Sequence, residues 1–70
     1  MKARRRKPLL RRYKRLGYRV EIEAGYTPDT VRWQVLRPRM QTAAITDLAP
    51  SVAIARDRAN AWIRSDAAGA

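Results

Sequence analysis

Two short stretches of the chain alternate strictly. In "YRVEIEA", Tyr18, Val20, Ile22 and Ala24 fall on one side of an extended backbone and Arg19, Glu21 and Glu23 on the other; in "VRWQVLR", Val31, Trp33 and Val35 fall together. A period of two predicts a pair of half-buried strands. The intervening "GYTPDT" holds Gly25, Pro28 and Asp29, residues that favour turns. Placing Ala24 opposite Val31 sets Ile22 opposite Trp33 and Val20 opposite Val35, which gives one continuous apolar face. The same register sets Glu23 against Arg32 and Glu21 against Gln34. That mixed second face is a poor platform for phosphate.

A different period follows. In "VAIARDRANAWIR", Val52, Ala55, Ala59, Trp62 and Ile63 share one helical stripe, and Ser51 stands where an N-cap is wanted. This predicts a helix that covers the sheet, with Trp62 over Trp33. Ile54 lies off the stripe, which motivates an alternative: a helix-turn-helix over "DLAPSVAIARDRANAWI", with Leu48, Ala49, Ile54, Ala59, Trp62 and Ile63 inside and Arg56, Asp57, Arg58 and Asn60 facing a DNA groove. Ala53 at the turn and Pro50 in the first helix count against it. Between hairpin and helix, a turn at Pro38 and Arg39 leads into a third candidate strand, "MQTAAIT".

The amino-terminal "RRRKPLLRRYKRLG" fits a helix from Pro8, with Gly17 just beyond its end. At 100° per residue, Leu9, Tyr13 and Leu16 lie within about 60° of one another, and Arg11, Arg12, Lys14 and Arg15 fill the opposite arc. Such a helix would dock by its apolar side and hold its cations in one orientation. The expected architecture is therefore α+β: a basic N-terminal helix, a small antiparallel sheet of two or three strands, and a C-terminal helix packed on the sheet. The alternative is a β-hairpin followed by a helix-turn-helix. Residues 1–17 form the basic tail and amphipathic helix, 18–66 the body, and 67–70 a frayed tail. The strand, strand, strand, helix order is shared by small domains of unrelated roles, including the DNA-arm-binding domains of some recombinases, so the order by itself assigns no function.

Charge adds what the pattern lacks. The net charge is +10 over 70 residues. Seven arginines (Arg4, Arg5, Arg6, Arg11, Arg12, Arg15, Arg19) and three lysines (Lys2, Lys7, Lys14) precede residue 20 with no acid among them, whereas beyond it six arginines balance six acids. A neutral body with a basic leader is the asymmetry of a chain that meets a polyanion. Guanidinium forks match phosphate oxygens in pairs, which favours nucleic acid, DNA or RNA, over diffuse attraction to acidic lipid. The expected contacts are Arg4, Arg5, Arg6, Lys7, Arg11, Arg12, Lys14 and Arg15. The rival expectation is a small interaction or inhibitor protein, of the sort phages and other mobile elements encode, whose basic helix docks on an acidic protein surface. Peripheral attachment to anionic membrane ranks behind both, because the apolar face is narrow.

Catalysis has little to work with. The chain has no histidine and no cysteine, and its carboxylates and hydroxyls form no recognisable constellation, so no enzyme, metal or cofactor is expected. Glu21 and Glu23 share a strand face but read as cross-strand partners for arginine. Trp33 and Trp62 lie on the core stripe, which leaves Tyr26 in the turn as the expected exposed ring. So short a chain buries a thin core without disulfides or metal, which makes a homodimer a reasonable expectation. The lack of cysteine and of an apolar span favours a cytoplasmic protein, and the Arg-rich, acid-free start also resembles a mitochondrial transit peptide.

Overall fold

Gly25 and Thr30 close the central hairpin. Gly25 N–H donates to Thr30 O at 3.0 Å, and a Cβ at position 25 would stand 2.7 Å from that same oxygen, so only glycine permits the approach. The computed structural model describes residues 8–69. The hairpin strands are β2 (Tyr18–Ala24) and β3 (Val31–Leu36), in the register expected from the alternation: Ala24 opposite Val31, Ile22 opposite Trp33, Val20 opposite Val35. On the outer face Arg32 bonds Glu23 at 3.2 Å and Gln34 bonds Glu21 at 2.7 Å.

Two further strands complete an antiparallel meander. β1 spans Leu9–Arg15 and β4 spans Ile45–Ala49, and the spatial order is β1-β2-β3-β4. The segment expected to be an N-terminal helix is thus an edge strand. Leu16 and Gly17, at φ 53° and 83°, form a two-residue connection between Arg15 and Tyr18. Two successive left-handed residues match the right-handed twist of a hairpin, so the chain turns back on β2 where a helix would have ended. Electrostatics acts in the same direction: a helix would crowd four cations on one arc with no acid at i±4, whereas a strand sends them to opposite faces. Leu9, Leu10 and Leu16 are about half exposed or more and do not dock; Tyr13 alone of that set packs against the core. The ladder slips by one residue between Leu9 and Arg11, which leaves Leu10 as a bulge.

The strand expected over Met40–Thr46 is displaced toward the carboxyl terminus. Met40 N–H donates to Arg37 O across a turn with Arg39 at φ 64°, and pairing with β3 resumes only at Ala44 N–H to Val35 O, 2.7 Å. Segment 47–49, which the helix-turn-helix alternative made helical, lies in β4. One uninterrupted helix follows, α1 (Val52–Ala67), with no turn at Ala53. That alternative is overturned, and Ile54 points to solvent. Ser51 caps α1 as expected, accepting from Ile54 N–H at 3.2 Å. The helix continues to Ala67, and Gly69 at φ 104° closes its end where a frayed tail was expected.

The core lies between α1 and one face of the sheet. Val20, Ile22, Val31, Trp33 and Val35 meet Ala55, Ala59 and Ile63, and the two alanines let the helix backbone approach closely. Trp62 packs at the margin; its edge-to-face ring partner is Tyr18, with centroids 6.3 Å apart.

Leu16 is the weak point of the β1–β2 turn. A branched side chain in the left-handed region costs about 1–2 kcal/mol, and asparagine tolerates that region far better. The side chain is 65% exposed, so its removal loses little burial. Leu16→Asn is expected to raise the melting temperature by roughly 4–8 °C, as about 1 kcal/mol does in a domain of this size. An unchanged or lowered melting temperature by circular dichroism would count against the turn geometry.

Candidate nucleic-acid interface

The alternation of β1 divides its cations between two sides. Arg11, Tyr13 and Arg15 lie directly across from Ile22, Val20 and Tyr18, and so share the side that α1 covers. Arg12 and Lys14 lie across from Glu21 and Arg19 on the open side. All four cations are exposed. Of the eight expected contacts, Arg4, Arg5, Arg6 and Lys7 fall outside the described residues, and the remaining four are two pairs facing opposite ways.

None of those four forms an ion pair or side-chain hydrogen bond among the described residues, and the reason lies one strand inward. The carboxylates of the neighbouring strand, Glu21 and Glu23, are engaged by Gln34 and Arg32 of β3. Lys14 stands directly opposite another cation, Arg19, whose guanidinium turns aside to donate to the carbonyl of Met40. Like charges across a ladder destabilise a sheet unless a counter-charge intervenes.

Tyr13 carries the geometry on the helix side. Its hydroxyl donates to Asn60 Oδ1 at 2.8 Å, tying β1 to the middle of α1 across 47 residues of sequence. Partial burial pushes the Tyr13 phenol above its ordinary value, against the opposing fields of Arg56, Arg15 and Arg11; Asp57 adds to the upward shift. The fields of three guanidiniums, two from β1 and one from α1, and of the Asp57 carboxylate therefore act on one half-buried hydroxyl. Sequence reasoning grouped Arg11 and Arg15 correctly as cations but missed Arg56 as their neighbour, because nothing local to either segment signals the Tyr13–Asn60 bond.

Several other cations are already occupied: Arg32 bonds Glu23, Arg19 the Met40 carbonyl and Arg58 the Leu48 carbonyl. Arg37 grips Asp66 with two hydrogen bonds, Nε to Oδ2 at 3.0 Å and Nη2 to Oδ1 at 2.8 Å, and its guanidinium lies 5.3 Å from the centre of the Trp62 ring. Tyr18 donates its hydroxyl to the same Oδ2 at 2.7 Å. These bonds from Arg37 and Tyr18 hold the Asp66 carboxyl down at about 2, from an ordinary 3.8. They join the end of α1 to the sheet. Because the folded state holds the carboxylate below its unfolded value, the stabilisation is complete above about pH 4 and is lost as pH falls toward 2. Asp66→Asn is expected to lower the melting temperature at pH 7 and to flatten the acid limb between pH 4 and 2. An acid limb as steep as the parent's would remove Asp66 from that role.

Among the described residues no three histidine, cysteine or acidic side chains are placed to hold a metal ion, and no helix is long and apolar enough to cross a membrane. Compared with models of protein families, with curated proteins and with solved structures, the chain matches none of them.

Proposed function

We propose that this protein binds nucleic acid through its basic amino-terminal segment, with the cations of β1 and Arg4, Arg5, Arg6 and Lys7 as the phosphate contacts. The observation that carries the reading is the set of four exposed cations on β1, Arg11, Arg12, Lys14 and Arg15, without an acidic partner among the described residues while the neighbouring acids bond to β3. A polyanion supplies the missing counter-charge. Phosphate contacts of this kind position a protein on a duplex without specifying bases.

The test is a salt titration of binding to a labelled duplex. About six phosphate contacts give a slope of log affinity against log salt near −5. Changing Arg11, Arg12, Lys14 and Arg15 together to glutamine should make that slope shallower by about 0.9 for each side chain that touches a phosphate, hence by roughly 2 to 4. Failure of the parent protein to bind at low salt, or a slope unmoved by the four substitutions, would overturn the reading.

One observation favours a second reading. β1 is an outer strand of the sheet, so its free edge offers an acidic, extended segment of another protein both a backbone ladder and a row of cations. Duplex binding that is absent at low salt leaves that reading standing.

A further inference from the structure

β1 offers cations on both of its sides to the phosphates of a nucleic acid. The two sides differ in how their cations are held. On the open side, Arg12 lies across from Glu21, and Arg19 is drawn to the Met40 carbonyl. On the helix side, no carboxylate lies across the ladder from Arg11 or Arg15, whose opposite residues are Ile22 and Tyr18.

The helix side is also built from two elements. Asn60 lies one helical turn after Arg56 and one turn before Arg64, so the Tyr13–Asn60 bond brings a helix edge bearing arginines alongside Arg11 and Arg15. Asn60 uses Oδ1 to accept from Tyr13, and its Nδ2 has no bonding partner among the described residues. Asp57 is the acid closest in influence, one negative charge against the three of Arg11, Arg15 and Arg56. The result is a strip of donors along the β1–α1 edge, held in place by a hydrogen bond that does not itself need a ligand.

Resting on the nucleic-acid reading, we infer that this strip is a seat for the phosphodiester backbone, in which Arg11, Arg15 and Arg56 hold phosphate oxygens together. Tyr13 is a positioning residue that sets α1 against β1 through Asn60. The nucleic acid then runs along the edge between strand and helix, and the open face of the sheet, with its Glu21 and Glu23, is turned away from it. Arg12 and Lys14 contribute field but not contact.

Arg56 provides the test, because it lies 37 residues beyond the basic leader. Anisotropy titrations with a labelled duplex of mixed sequence, repeated across a range of salt, should show that Arg56→Gln weakens binding roughly eightfold at 0.1 M salt. This is the loss from one counterion when the parent and variant lines converge near 1 M. The variant's salt slope should be shallower by about 0.9. Arg58→Gln, on an exposed arginine that donates to the Leu48 carbonyl, should match the parent. Arg12→Gln combined with Lys14→Gln should cost less than Arg56→Gln alone. Tyr13→Phe should weaken binding and reduce the separate effect of Arg56→Gln, a coupling that a simple loss of stability does not produce. Normal binding by Arg56→Gln together with a large loss from the Arg12 and Lys14 pair would overturn the inference and leave nucleic-acid binding intact. No salt-dependent binding by the parent would remove both.

Discussion

Ile63→Ala is expected to cost about 2–5 kcal/mol, the range for truncating a fully buried isoleucine. A chain of this length holds only roughly 3.5–10 kcal/mol in total at the usual stability per residue, so the variant should be partly unfolded at 37 °C. The effect is large because α1 buries so little else. Its fully buried side chains are Ala55, Ala59 and Ile63, and two of those are methyl groups. Thermal melts followed by circular dichroism would show it, with Ile54→Ala as the control. Ile54 is exposed on the far side of the helix, and its truncation should stay within about 0.5 kcal/mol of the parent. A melting temperature for Ile63→Ala within a degree or two of the parent's would mean that α1 does not depend on this contact.

Reversing two charges should have the largest effect on binding. Arg11→Glu with Arg15→Glu removes two contacts worth about eightfold each at 0.1 M salt and adds repulsion, so affinity for a duplex should fall by about a hundredfold or more. Both side chains are exposed, and Tyr13 between them keeps its bond to Asn60. The fold should therefore survive, with an unchanged circular dichroism spectrum. Retained affinity in a folded double variant would exclude β1 from the interface. Reversal at Arg12 and Lys14 instead changes the open side alone, a separation possible only because the segment is a strand.

The elements that could be read from sequence are those whose chemistry is local. Alternation set the register of β2 against β3 down to the Arg32–Glu23 pair, and Ser51 with the Ala55, Ala59, Ile63 stripe marked α1. β1 was hidden for two reasons. Its turn is Leu16-Gly17, without the Asn-Gly or Asp-Gly signature of such connections, and cations on both faces mask any period of two. β4 was hidden because its polarity is inverted: Asp47 shares the core side with Ile45 and Ala49, and Leu48 takes the open side. The charge of the site was plain from composition, but its shape was not. The helix turn that carries Arg56 is set beside β1 by core packing and by the Tyr13–Asn60 bond spanning 47 residues, and Arg37 is withdrawn to Asp66 across 29.

The outer position of β1 bears on how the protein behaves when nothing is bound to it. An outer strand carries backbone donors and acceptors that a second chain can pair with, and such edges seed aggregation unless guarded. Here the guard is the bulge at Leu10 and a cation at nearly every position after it, so that two copies approaching edge to edge repel. The cations of β1 thus also oppose edge-to-edge pairing of two copies. Screening by salt weakens this repulsion and any attraction to a polyanion together.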